Sequence, residues 1–305
     1  MKKLVYYIGI LVCTNILLFS CIREDMSDCP PDGFSPKIVL VPYNGNTIDN
    51  NDLYSGKVYV LDELTGSVID SYEIPGRPKL QTTYTPKWGL PVGRYTYVAW
   101  LNTDAQYFSV DERQLLLKFL VPKTQIVDKT DLIPFLCYGN IENAPLDSIS
   151  DNLITIPVMQ FTNKINLTVT GLKNVSPQGD EYTFSINDNN GNYGFDGDFA
   201  SCPAFTYSTT KRSSADVFNA SLTVLKLSGS RPNPTLTIKN NATGDEYSIG
   251  LIPLILSKIP TNDFDKTHIY NITISNPFTR EEEITITVTV NDWVDNQSNP
   301  DLNIN

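Results

Sequence analysis

The sequence predicts an all-β protein, and three observations predict it. Apolar residues recur with a period of two in one segment after another, turn-forming residues separate these segments at short intervals, and helical periodicity is scarce. The pattern is clearest in EEEITITVTVNDW, where Ile284, Ile286, Val288 and Val290 alternate with Thr285, Thr287 and Thr289. A segment of this kind buries aliphatics on one face and shows hydroxyls on the other, as a half-buried antiparallel strand does. Short strands so spaced build a sandwich or a barrel.

Taken in chain order, KIVLVPY from Lys37 and GRYTYVAWL from Gly93 carry the same period. Between them lie turn signals at Tyr43-Asn44-Gly45-Asn46, Ser55-Gly56, Thr65-Gly66 and Pro75-Gly76. Residues 110–119, VDERQLLLKF, join an early acidic turn to leucines at suitable intervals and predict a short helix; residues 251–259 predict a second helical turn. Each is expected beside a sheet, as a connection. Residues 128–152 are rich in Pro, Asn, Asp and Ser, and a new series of alternating strands starts near Leu153. The expected junction is therefore at about 155, with one β-sandwich over 36–155 and another over 156–305. The second half repeats the period in NKINLTVTGL (Ile165, Leu167, Val169) and in HIYNITIS from His268. No repeat of solenoid period is visible.

Ahead of the strands, Lys2 and Lys3 precede an apolar run over 4–20 that only Thr14 and Asn15 interrupt, which fits an export signal and is too short and broken for a membrane span. Its end, Leu18-Phe19-Ser20-Cys21, resembles a bacterial lipobox. The resemblance implies cleavage before Cys21, diacylglycerol on its sulfur and an acyl chain on the new amino terminus. Several chains together anchor a protein as a single one cannot. An ordinary secretory signal or an uncleaved anchor helix is the alternative. The expectation is thus a signal peptide over 1–20 and an acidic tether over 21–35, whose Glu24 and Asp25 resemble the surface-export signal of Bacteroidetes lipoproteins.

The chain has 34 acidic and 23 basic residues, and loss of Lys2 and Lys3 moves its net charge from −11 to −13. With no basic block it repels nucleic acid and anionic membrane surfaces, so no nucleic-acid partner is expected and attachment rests on lipid at Cys21. Of five cysteines, Cys13 goes with the signal and Cys21 is acylated. Cys29, Cys137 and Cys202 are too widely spaced for a CxxC redox or zinc pattern, which leaves one disulfide plus a buried thiol, or three buried thiols.

The motifs of familiar chemistry are missing: there is no GxxxxGK[ST], GxGxxG, HExxH or GxSxG. His268, the single histidine, shares strand parity with Tyr270, Ile272 and Ile274, so it is expected to face inward and not to act as a base. Residues 187–198, NDNNGNYGFDGD, fail as a calcium loop in either register of their glycines, and are read as a hairpin connection between EYTFSIN and YGFDGDF. No catalytic, cofactor or metal residue is assigned, and no enzyme is expected. Six Asn-x-Ser/Thr triplets, beginning at Asn166, Asn174, Asn219, Asn241, Asn271 and Asn296, are read as products of Asn- and Thr-rich strands and not as glycosylation sites. Trp100 lies in an alternating run and is read as core. Trp88, before a Gly-Leu-Pro turn, and Trp293 are read as core or turn packing, with a sugar-stacking platform as the alternative.

Together, the lipobox with its continuation CIREDMSDCP, the strand KIVLVPY, the aromatic strand YTYVAWLN and the late runs HIYNITI and ITVTVNDW resemble the FimB/Mfa2 family of Bacteroidetes fimbrial proteins. That resemblance implies an outer-membrane, surface-exposed lipoprotein of two tandem transthyretin-like Greek-key sandwiches. It implies a non-enzymatic subunit that anchors or caps a fimbrial fibre through β-strand contacts with fimbrillin-type pilus subunits and supports adhesion, with a host or glycan ligand open. It also implies that stalk subunits are cut at an arginine after their first strand. This chain has none between Arg23 and Arg77, so its first strand is expected to stay in place. Strand donation or acceptance is expected in the C-terminal domain, around residues 283–293 or the tail. The alternatives are a surface glycan-binding lipoprotein of a polysaccharide-uptake system and a lipid-anchored hydrolase.

Overall fold

The computed structural model describes residues 33–45, 48–213, 216–231 and 234–290. It is an all-β structure of four sheets, with strands numbered here in chain order. The largest sheet has seven strands in the order β3 (Val68–Glu73), β2 (Gly56–Asp62), β5 (Gly93–Leu101), β9 (Cys137–Leu146), β10 (Leu153–Gln160), β1 (Lys37–Pro42) and β4 (Thr83–Tyr84). Strand β1 lies parallel to β10, from Lys37 opposite Leu153 to Pro42 opposite Val158. Strands β9 and β10 approach so closely that a Cβ on Gly139 would sit 2.4 Å from the Pro157 carbonyl oxygen, which explains a glycine mid-strand.

Strand β5 is covered on both faces. Tyr97, Ala99 and Leu101 join a core with Ile38, Leu40, Val58, Val60 and Trp88, while Val98 and Trp100 turn the other way onto Tyr138, Phe161 and Tyr193. This second core continues through the rest of the chain. A strand buried on both faces reads as a near-continuous apolar run, and TYVAWL is one. Directly after it, Asn102 is fully buried at φ 62°. Its Oδ1 accepts from the backbone N–H of Tyr54 (2.9 Å) and Ser55 (3.3 Å), and its Nδ2 donates to the carbonyls of Asp52 and Phe135, each at 2.7 Å. Four backbone groups that no sheet satisfies are thereby paired by one amide.

Two further sheets face each other in the second half. One has the order β15 (Val217–Leu225), β11 (Thr162–Thr170), β18 (Ile269–Ser275), β19 (Thr285–Val290). The other runs β17 (Glu246–Gly250), β16 (Thr235–Asn240), β12 (Asp180–Asp188), β14 (Phe205–Ser213), β8 (Ile126–Val127). Their inner faces meet through Ile165, Leu167, Val169, Ile272 and Ile274 on one side and Tyr182, Phe184, Ile186 and Ile238 on the other. The outer face of the four-stranded sheet carries a ladder of neutral polar side chains, with Lys164 at one end of β11. Asn166 donates to Asn271 and accepts from Ser221, both at 2.9 Å, and Thr168 donates to Asn219 at 3.0 Å. Three of the Asn-x-Ser/Thr asparagines thus serve as cross-strand links.

The halves are joined by exchanged strands. From the first half, β8 pairs in parallel with β14; from the second, β13 (Asn192–Gly194) pairs with β7 (Leu116–Phe119) of the first. Position 155 falls inside β10, which belongs to the seven-stranded sheet, and the chain passes through Phe161 into β11.

Two local expectations are corrected. Residues 110–119 form no helix: β6 (Phe108–Asp111) and β7 make a hairpin with Phe108 opposite Phe119 and Val110 opposite Leu117. Leu117 and Phe119 are buried, Lys118 points outward to Asp111 at 3.2 Å, and Asp111 caps the turn by accepting from the Gln114 N–H at 3.1 Å. A short leucine run fits either period, and packing under the strands decided it. Likewise 187–198 is no hairpin connection, because β12 pairs with β14 and β16 while β13 crosses to β7. Its Tyr193 is completely buried and adjoins Trp100 and Phe161, so burial of one aromatic overrides the local turn chemistry. Residues 251–259 do form the expected helix, α1 (Leu251–Lys258), which buries Leu251, Ile252, Leu254 and Ile255.

Candidate functional site

The lipid-attachment residue expected from sequence, Cys21, lies outside the described residues, as do Glu24, Asp25, Cys29 and Trp293. The segment over 283–293, where strand docking is expected, is described as far as Val290, and there the periodicity seen in the sequence becomes geometry. Strand β19 pairs antiparallel with β18, Val290 opposite Tyr270 and Val288 opposite Ile272. Val288 is buried, Ile284, Ile286 and Val290 pack against the core, and α1 lies against the strand. Thr285, Thr287 and Thr289 are exposed.

Strand β19 is the last of its sheet, and among the described residues no strand occupies its outer edge. The strand carries none of the usual guards of such an edge: Thr285–Val290 contains no proline and no charge, and its pairing with β18 is free of bulges. Its unpaired N–H and C=O groups can therefore accept another strand, with the threonine face turned to water.

Other residues singled out in the sequence serve structure. His268 is 5% exposed and begins the inward row of β18, as its parity predicts. Burial pushes its pKa down to about 4, with Lys226 acting in the same direction and Asp265 against it, so it is neutral at pH 7. Trp88 is buried and stacks on Tyr97, with ring centres 6.4 Å apart. Trp100 is fully enclosed by Tyr138, Phe161 and Tyr193. Among the described residues Tyr54 is the large aromatic that reaches the exposed class, so no row of coplanar rings is displayed. Cys137 is a buried free thiol that burial holds well above its ordinary pKa, and Cys202 is a partly buried free thiol, also raised by burial. In 187–198 the amides bond within the fold: Asn190 accepts from Tyr207 and Asn192 donates to the Ser201 carbonyl. Among the described residues no group of three or more His, Cys, Asp or Glu side chains is disposed to hold a metal ion.

Among the described residues the fold is thus all-β and ends in a sheet edge without proline, charge or bulge. Comparison with known proteins narrows this class. The model of the fimbrillin-A-associated anchor proteins Mfa1 and Mfa2 matches residues 26–298, and the chain belongs to that family. The structure resembles the fimbrial anchor protein Mfa2 of Porphyromonas gingivalis, with a TM-score of 0.67 and 19% identity over 85% of this chain and 98% of that one. It also resembles two Bacteroides thetaiotaomicron proteins. One is a candidate adhesin (TM-score 0.64, 18% identity, 86% of this chain and 97% of that one). The other is a candidate polysaccharide-binding protein (TM-score 0.63, 18% identity, 85% and 96%). At these identities the likeness is one of fold. No curated protein matches the chain.

Proposed function

We propose that the protein is a lipid-anchored subunit that attaches or caps a fimbrial fibre at the outer membrane, held by acylated Cys21 and displayed outward. The observation that carries this reading is the family match over 26–298 combined with the open β19 edge. Fimbrillin-type subunits are the proposed partners, engaged by β-augmentation, in which backbone bonds supply affinity and alternating side chains supply register. The proposed division is into two transthyretin-like units that meet where β10 passes to β11. Strand β1 sits between β10 and β4, and no arginine lies between Arg23 and Arg77, which supports an uncut first strand. The role proposed is structural and non-enzymatic.

Mass spectrometry of native protein extracted from membranes in mild detergent tests this reading. The expected result is an acylated Cys21, an intact first strand and a co-purifying ladder of related subunits. A chain without the acyl mass overturns the anchoring. The glycan-binding alternative draws on the likeness to the candidate polysaccharide-binding protein. A lipidated chain that lacks fimbrial partners and is retained on a glycan column would establish that alternative instead.

A further inference from the structure

The seam between the halves holds a groove of about 500 Å³, open to solvent, walled by the end of β2 and its turn, the middle of β5 and of β9, the β6–β7 turn and the segment after β13. Its apolar lining is Leu61, Leu115, Leu116, Phe195 and Phe199. Five carboxylates also line it: Asp62, Glu63, Glu142, Asp196 and Asp198. Among the described residues no Lys, Arg or His lines it, and none of the ion pairs there uses any of these five acids. Three of the acids have local duties, since Asp62 Oδ1 accepts from the Thr65 N–H at 2.8 Å, Glu63 Oε2 from the Thr96 hydroxyl at 3.1 Å and Asp196 Oδ1 from the Asp198 N–H at 3.0 Å. Glu142, Asp196 and Asp198 are all exposed. Two cations touch the lining from outside: Lys118 Nζ donates to Gln114 Oε1 at 2.8 Å and is paired with Asp111, and Arg231 lies 4.4 Å from the Phe199 ring with its Nη2 committed to Asn189.

We infer that this groove docks a lysine- or arginine-bearing extended segment of a protein partner. A long basic side chain is apolar along its stem and charged at its tip, and an aliphatic floor under a carboxylate rim matches both parts. A concave surface of one sign with low-dielectric walls focuses its field, so the rim attracts such a segment beyond what the chain's overall charge does. On the same walls the Asn140 amide and the Gln114 amide nitrogen can meet a peptide backbone, while the Thr96 hydroxyl donates to Glu63 and the Gln114 oxygen accepts from Lys118. A bound metal ion is a poorer fit, because these acids ring the groove and do not converge. The inference does not rest on the fimbrial reading, and the groove is separate from the β19 edge.

The test is fluorescence anisotropy of a labelled octapeptide of alternating Lys and Leu, titrated with the full-length protein in detergent. A peptide with Glu in place of Lys is the companion probe. The groove variant combines Glu142→Gln, Asp196→Asn and Asp198→Asn. The remote variant removes as many charges elsewhere, with Asp70→Asn, Glu181→Gln and Glu246→Gln. Saturable binding of the Lys peptide is expected, weakened by about tenfold or more in the groove variant and by less than about twofold in the remote one. The amide replacements keep an oxygen where Asp196 accepts from Asp198. A second variant, Gln114→Lys, puts the chain's own cation at the rim and is expected to weaken binding comparably. No saturable binding, an equal loss in the groove and remote variants, equal binding of the Glu peptide, or unchanged affinity in Gln114→Lys overturns the inference.

Discussion

Strands β5 and β19 show two ways in which one chain uses a strand. The first lies in the middle of the seven-stranded sheet with both faces covered, Tyr97 and Ala99 on one side and Val98 and Trp100 on the other. The second ends its sheet, buries one face, and leaves Thr285, Thr287 and Thr289 in water. Every side chain along the apolar part of β5 has a packing partner, so its sequence is spent on stability. The threonine half of β19 faces water, and among the described residues its outer backbone edge pairs with no strand.

The comparison is broken most severely at Trp100. Its replacement by alanine empties a ring-lined space at the seam of the halves and is expected to cost about 4 kcal/mol, read as a lower denaturation midpoint. Next comes Asn102→Ala, which leaves four backbone groups unpaired beside β5; a loss of about 3 kcal/mol is expected in the same titration. A smaller effect should not be seen there unless water replaces the amide.

His268, at the start of β18, adds a pH dependence to the second half. Its folded pKa, about 4, lies below the ordinary 6.5, so the unfolded chain binds the proton more readily. Stability should therefore be full above pH 6.5 and fall as the pH drops from there towards 4, by at most about 3 kcal/mol. His268→Gln should flatten that window. Further losses below it belong to carboxyls such as Asp180, which Asn240 and the backbone N–H groups of Val175 and Ser176 hold below the usual range. On β19 itself, Val288→Ala is expected to cost about 2 kcal/mol and Thr287→Ala less than about 0.5. Equal costs at these two neighbours would mean that the threonine face is covered.

How far these features could be read in advance follows from where their partners lie. Strands β11, β18 and β19 were legible because water on one face imposes alternation. The apolar run of β5 announced a strand, but nothing within it says that a second core covers its far side. Residues 110–119 misled because Leu115, Leu116 and Leu117 suit a helix or a hairpin, and the choice was made by Phe108 meeting Phe119. Strands β8 and β13, two and three residues long, are too short to carry a period at all, and their partners lie in the opposite half. Asn102 reads as one more polar residue after a strand, since its role depends on Asp52 and Phe135, far away in sequence. The alternation of β19 was visible as a pattern, whereas the acidic groove was not, because its walls come from five separate stretches of chain.

The parallel pairing of β1 with β10 has a mechanical side. Because the two strands run the same way, the entry to β1 and the exit from β10 lie at opposite ends of their ladder. A pull between the chain before Lys37 and the half that follows Gln160 would load all rungs of that ladder together, in shear, instead of peeling them one by one. A subunit strung between a membrane and a fibre would meet tension along its most resistant direction.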